Sequence, residues 1–332
     1  MRIARFGFGG GILGDPWEVI DEAAADATLE AAYGAGVRHY DTAPWYGNTR
    51  SEHRLGHVLR TKPRESYTLS TKVGRVYSRP KHPKTFHHER WAGGLPFELR
   101  FDYGRDAVLR SYEDSLQRLG VNTVDSLVIH DLDFKFHKNE QGVLGHFREL
   151  DEGGGVRALE ELKAAGEIRA IGAGVNHIGM IPRFLERFEL DFFLLAMPYT
   201  LLDQPALDGE LPLCVERNVS VIVGAVFASG ILARGPSEDA KYAYVPAERG
   251  IIEKTRRIEA VCRRYDVPLA AAALQFPLGH EAVAAIIPGA NSPQQVEQNL
   301  AYMRVGIPAD LWAELKREGL LRADAPTPEA AA

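Results

Sequence analysis

Four residues could do chemistry together: Asp41, Tyr46, Lys72 and His130. Asp41 closes the run Val37-Arg38-His39-Tyr40-Asp41, and Lys72 closes Thr68-Leu69-Ser70-Thr71-Lys72. His130 closes Val124-Asp125-Ser126-Leu127-Val128-Ile129-His130, and Tyr46 lies just beyond the first run, in Trp45-Tyr46-Gly47. A buried lysine needs a counter-charge, which Asp41 can supply. An ammonium beside a phenol stabilises phenolate and lowers its pKa. Tyr46 would then give and take a proton near neutral pH, and His130 would orient a substrate oxygen. Any one polar strand end means little; the expectation rests on all four converging on one rim.

The elements that must position them are short. Apolar runs lie at 3–8, 37–40, 67–71, 123–130, 168–172, 192–196, 220–223 and 282–287. They alternate little, as strands covered on both faces should. Helical patterns lie between them, at 23–35, 52–59, 105–119, 156–165, 180–188, 207–217, 251–265 and 293–303. In 105–119, Val108, Tyr112, Leu116 and Leu119 form one stripe, and Gly120 follows as a C-cap. Strand runs each followed by a helical run predict an α/β protein, a closed (β/α)8 TIM barrel rather than an open sheet. Residues 1–322 should form this one domain, and 323–332, rich in Ala and Pro, a frayed tail.

Three stretches fit no such repeat. They are 75–103, with Tyr77, His82, His87, His88 and Trp91; 132–151, with Phe134, Phe136, His137 and His146; and 233–250, with Tyr242 and Tyr244. All three follow the C-terminal end of a strand, where loops build the active site of a barrel. They are expected to wall the substrate, with Trp45, Phe134 and His137 as lining. Rings suit the C–H faces of a sugar, and histidine suits its hydroxyls.

Composition narrows the partners. The 332 residues carry 39 basic and 45 acidic side chains, a net charge of −6, so nucleic acid is not an expected partner. No apolar run reaches the roughly 18 residues of a spanning helix, and the first residues lack the apolar core of a signal peptide. A cytoplasmic protein, monomeric or a small homo-oligomer, is expected. Cys214 and Cys262 are too few for a disulfide scaffold and read as small core residues. No metal is expected. His53 and His57 lack a third ligand, and His88-Glu89-Arg90-Trp91-Ala92 lacks the second histidine of a zinc-protease motif. Gly9, Gly11 and Gly14 satisfy G-x-G-x-x-G, but Asp15-Pro16 follows instead of a helix. The better reading is a glycine loop at a strand end, where a flat ring comes close to the backbone.

These motifs resemble a known family. Asp41-Thr42-Ala43 with Tyr46-Gly47, Ser70-Thr71-Lys72-Val73-Gly74 and Ile129-His130 are similar to the aldo-keto reductase signature. The likeness extends to Ile171-Gly172-Ala173-Gly174-Val175-Asn176 and Ile287-Pro288-Gly289-Ala290-Asn291-Ser292. It covers nearly the whole chain, from Phe6-Gly7 onward. A narrower likeness, in Phe227-Ala228-Ser229-Gly230-Ile231-Leu232 and Ile129-His130-Asp131, is to bacterial aldose 1-dehydrogenases and pyridoxal 4-dehydrogenases.

The resemblance implies a nicotinamide cofactor and a catalytic tetrad of Asp41, Tyr46, Lys72 and His130. It places Asn176 against the nicotinamide carboxamide. The rest of the cofactor would be held by Gly10, Gly11, Phe227, Ser229, Gly230, Leu232, Pro288, Gly289, Ala290, Ser292, Gln295 and Asn299. Two departures matter. Gly224 stands where many members stack an aromatic ring on the nicotinamide, which leaves Phe227 as a substitute. Gly289 and Gln295 stand where NADP-binding members carry Lys and Arg. A 2′-phosphate wants such bases, so NAD is favoured over NADP unless Arg304 or another base serves. The implied reaction is oxidation of a cyclic aldose, such as L-fucose, D-arabinose or L-galactose, at C1 to the lactone. Oxidation of pyridoxal, general aldehyde or ketone reduction, and a non-catalytic channel-associated role are the alternatives.

Overall fold

The structure is a computed structural model that describes residues 3–87 and 90–329. Eight parallel strands run in chain order: β1 (Phe8–Gly9), β2 (His39–Asp41), β3 (Thr68–Val73), β4 (Ser126–His130), β5 (Ala170–Val175), β6 (Phe192–Ala196), β7 (Ser220–Gly224) and β8 (Val283–Ile286). A parallel bridge from Phe6 to Ile286 joins the first strand to the last, so the sheet closes on itself. All of β4 is buried, because helices cover its outer face and the barrel interior its inner one. A small core of Val128, Ala170, Phe192, Leu194, Ile222, Ala285 and Ile287 fills the interior. A larger one lies between strands and helices.

The helices end where local chemistry stops them. Asp21 caps Glu22–Gly34 by accepting from the N–H groups of Ala23 and Ala24. Arg105–Leu119 stops at Gly120, at φ 64. Two further helices, Leu269–Gln275 and Ala309–Arg317, were not expected. The first is alanine-rich and buried nearly all round, so it shows no amphipathic stripe. No helix among the described residues is long and apolar enough to cross a membrane.

The three long loops carry more order than their sequences suggest. The first folds into an antiparallel hairpin of Arg75–Ser78 with Glu98–Phe101. The second contains Phe134–His137 and Glu140–Leu150, and Asp133 and Asn139 cap these helices. The third holds a short hairpin of Lys241–Tyr242 with Val245–Pro246. His88 of the first loop lies outside the described residues. The described part of the tail, 323–329, touches the barrel at several points. Ala325 is fully buried, and Arg322 anchors the segment by pairing with Asp208 at 2.6 Å and Asp324 at 2.7 Å.

The glycine triplet proves to be a packing device. β1 runs into the 3-10 helix Gly10–Gly14, and Asp15 turns back with φ 59. A Cβ on Gly14 would lie 2.5 Å from the Gly47 nitrogen and 2.6 Å from the Tyr46 carbonyl carbon. Only glycine lets this loop pass under the backbone that carries Tyr46. Gly14→Ala should therefore cost about 1–3 kcal/mol and disturb Tyr46. Gly34→Ala, with nothing within 4 Å of its new methyl, should be neutral or slightly stabilising. Urea unfolding of both variants, with turnover measured alongside, checks the contrast.

Candidate active site

Strand register brings three of the four expected residues together. Asp41 lies opposite Ser70 on β3, and Lys72 is two residues further along on the same face. Lys72 in turn lies opposite Val128 on β4, two residues before His130. His130 lies opposite Gly174 on β5, two residues before Asn176. Val128 points into the barrel interior, so the whole series points inward at the C-terminal rim.

The ammonium of Lys72 is fully engaged. It donates to Asp41 Oδ1 at 2.7 Å, to Asp41 Oδ2 at 2.6 Å and to the Thr42 carbonyl at 2.8 Å. Ser70 Oγ also donates to Asp41, at 2.7 Å. Lys72 Nζ lies 5.0 Å from the centre of the Tyr46 ring, and that ring meets His130 edge-on at 5.7 Å.

The phenol of Tyr46 is pushed well above its ordinary pKa, chiefly by burial and then by the negative charges of Asp41 and Asp131. This corrects the expectation of a lowered value. Burial and the two carboxylates outweigh the nearby ammonium, which is itself paired with Asp41. His130 is held neutral by burial and by the positive charges of Arg75, Lys72 and Lys135.

Aromatic rings enclose this cluster. Trp45 packs edge-on against Trp91 and Phe136, each with centroids 5.1 Å away, and against His130 at 5.8 Å. A cavity of about 340 Å3 lies beside the cluster; Trp45, Trp91, Phe97, Phe101 and Phe136 line it, and no tetrad residue does. Of the three residues expected to line the substrate, Trp45 lines this cavity, and Phe134 and His137 do not. Residues two apart on a helix point nearly opposite ways. Phe136 faces the cavity, whereas Phe134 packs toward His177 and Arg183 on the outside. His137 is buried behind the wall, where Tyr103 OH meets its Nε2 at 3.1 Å.

Sequence reasoning also missed Arg75 and Asp131. Arg75 donates to Asp131 Oδ2 at 2.8 Å, and Asp131 accepts from Asn176 Nδ2 at 2.7 Å. A charged residue on each side of the tetrad strands was the available signal.

The residues expected at a cofactor come largely from one arc of the rim, because β7, β8 and β1 are neighbours in the closed sheet. Gly10 and Gly11 follow β1; Pro288, Gly289, Ala290 and Ser292 follow β8. Ser292 caps the helix Pro293–Tyr302, which carries Gln295 and Asn299. Phe227, Ser229 and Gly230 follow β7, and Ser229 Oγ accepts the Tyr244 N–H at 2.9 Å. Leu232 is fully buried, with its N–H bonded to the Phe227 carbonyl.

The profile of the Aldo/keto reductase family matches residues 5–318. The chain belongs to the aldo/keto reductase family. It is 42% identical over 329 residues to a pyridoxal 4-dehydrogenase of Microbacterium luteolum, covering 97% of this chain and 95% of that protein. It is 37% identical over 339 residues to a D-threo-aldose 1-dehydrogenase of a Pseudomonas species, covering 99% and 96%. Among solved structures it is similar to an aldo-keto reductase of Bacillus halodurans in its holo form. That match has a TM-score of 0.73 and 25% identity, over 97% of this chain and 94% of that one. This aldo/keto reductase is therefore an oxidoreductase built on the barrel that its sequence predicts.

The buried histidines give the protein an acid-sensitive side. Burial, with help from His146 and Arg75, pushes His137 down to about 4. An unfolded histidine titrates near 6.5, so between these values the unfolded chain binds the extra proton. The stabilisation is complete above about pH 6.5 and declines as the pH falls toward 4. Urea midpoints measured across this window should fall less steeply for His137→Gln than for the parent protein.

Proposed function

We propose that this aldo/keto reductase is a nicotinamide-dependent dehydrogenase that oxidises a cyclic hemiacetal at its anomeric carbon to a lactone. The observation that carries the reading is the inward-facing set of Tyr46 and His130 beside the neutralised Lys72–Asp41 pair. The residues present suit a nicotinamide. Among the described residues Asn176 Oδ1 accepts from Lys135 alone, at 3.5 Å, so it can accept from a carboxamide N–H. Gly224 puts no side chain over the rim, and a Cβ there would already press on Leu194 at 3.2 Å. The N–H groups that open the helix Pro293–Tyr302 suit a phosphate.

Held by these residues, a nicotinamide would supply hydride exchange with the substrate carbon. Tyr46 handles the proton on the substrate oxygen, and neutral His130 orients that oxygen. In the reducing direction the phenol is already protonated and gives its proton up. Oxidation needs the phenolate, which burial makes scarce, so oxidation should accelerate as the pH rises into the alkaline range. Tyr46→Phe should lose most turnover in both directions yet keep cofactor affinity, because only the proton path is removed. Turnover at near the parent rate would overturn the role. Lys72→Met should also slow the enzyme, by leaving the Asp41 charge unpaired.

Two substrates fit a cyclic hemiacetal. An aldose is supported by the 37% relative and by the polar groups at the rim. Pyridoxal in its hemiacetal form is supported by the 42% relative and by the rings. The wall around Trp45 and Phe136, with the guanidinium carbons of Arg75 and Arg90 within 4.2–5.2 Å of both ring centres, suits a flat ring that carries hydrogen-bond acceptors. Turnover of aldoses and pyridoxal, followed at the nicotinamide absorbance, separates them. Trp45→Ala and Phe136→Ala should raise KM for the better substrate without weakening cofactor binding.

The cofactor reading favours NAD. Gly289 offers no charge, and Gln295 Oε1 accepts the Asn291 N–H at 3.1 Å. Arg304 lies past the far end of the helix Pro293–Tyr302, roughly 18 Å from its start at about 1.5 Å per residue. We expect higher kcat/KM with NAD than with NADP, and a shift toward NADP in Gly289→Lys/Gln295→Arg. Parent kinetics that favour NADP would show that another base takes the 2′-phosphate.

A further inference from the structure

A second buried ion pair stands beside the tetrad. Arg75 is 1% exposed and leaves β3 just after Gly74, whose φ of 101 makes the turn. A Cβ on Gly74 would lie 2.1 Å from the Tyr103 ring, so the turn is fixed by packing as well. The Arg75 guanidinium carbon lies 4.2 Å from the centre of the Trp45 ring and 4.3 Å from that of Phe136. Nη2 holds Asp131, while Nε and Nη1 find no hydrogen-bond partner among the described residues. A buried guanidinium that leaves donors unpaired is costly unless its charge and its flat faces are used.

Its partner is equally constrained. Asp131 is a non-glycine residue at φ 48, directly after His130. Strain of this kind persists only where the surroundings enforce it. The Asp131 carboxylate touches three groups: Arg75 Nη2 at 2.8 Å, Asn176 Nδ2 at 2.7 Å and His130 Nε2 at 3.4 Å. The pair therefore reaches the substrate wall, the tetrad histidine and the amide offered to a carboxamide.

We propose that Arg75 and Asp131 form a positioning clamp, in which Asp131 sets the His130 ring and the Asn176 amide while Arg75 holds Asp131 and braces Trp45 and Phe136. This deepens the proposed function and rests on its reading of His130 and Asn176. Neither residue touches the reacting atoms; each acts through its neighbours. The charged and titratable groups that face His130 are Lys72, Arg75, Asp131, Lys135 and Tyr46, so removal of the Arg75 charge also makes His130 easier to protonate.

The test uses the full chain with cofactor and its better substrate. Arg75→Met should lower kcat by about 10- to 100-fold, the scale of a small misplacement at a reacting centre. It should also raise KM and move the acid limb of the kcat/KM profile to higher pH. Cofactor affinity, read from the quenching of tryptophan fluorescence, should weaken as Asn176 loosens. Arg75→Lys keeps the charge but not the planar stack, so it should restore the acid limb and leave KM raised. Arg75→Met/Asp131→Asn removes the pair as a neutral whole, so it should fold even if Arg75→Met does not, and it should remain slow. A folded double variant with the parent's kcat, KM and cofactor affinity would overturn the clamp. Tyr46→Phe, measured alongside, separates the two ideas: full activity there contradicts the proposed function, whereas an inactive Tyr46→Phe beside a fully active double variant contradicts the clamp alone.

Discussion

An ammonium that is 1% exposed cannot keep its charge without a counter-ion and a place for every hydrogen. Lys72 meets both demands through Asp41 and the Thr42 carbonyl, and much of the site follows from that. The pair requires β2 and β3 to be neighbours in one register, because a slip of one residue would turn Lys72 to the helix side. Removal of one partner from such a buried pair costs about 3–5 kcal/mol, mostly through the charge left behind. The pair is therefore a structural constraint as much as a chemical one. It fixes the two strands from which Tyr46 and Arg75 continue.

The rim repeats this arrangement. Asp41 answers Lys72, Asp131 answers Arg75, and Asp133 Oδ2 accepts the Asn176 side chain at 3.0 Å. Burial, with the nearby cations, keeps His130 neutral, and burial, with the nearby carboxylates, keeps the Tyr46 phenol protonated. Rings then shield the cluster: Trp45 and Trp91 lean on Tyr46, and Phe136 closes the side toward Arg75. The result suits an uncharged carbonyl or hemiacetal, whose charge develops only as it reacts.

Much of this was legible in the sequence. Short apolar runs that end in Asp, Lys and His gave away both the barrel and its rim, because parallel strands buried on both faces have little place for charged residues except at their ends. Other features were not legible. Phe134 and Phe136 are the same residue type two positions apart, and only the helical turn decides which faces the cavity. Leu269–Gln275 lacks an amphipathic stripe because it is buried nearly all round. Arg75 sits at the head of a loop, and its pairing with Asp131 spans 56 residues that local patterns do not connect. The direction of the Tyr46 shift follows from its burial and from the carboxylates of Asp41 and Asp131, which spacing alone does not reveal.

The central claim is that Tyr46 is a neutral phenol beside a lysine whose charge is already spent. Ultraviolet difference titration of the cofactor-free protein against Tyr46→Phe tests it directly, since the difference isolates one phenol among the tyrosines. The account predicts no phenolate signal in the difference from neutral pH up to about 10, the ordinary value for tyrosine. A phenolate that appears near neutral pH would contradict it, and would mean that Lys72 acidifies the phenol after all.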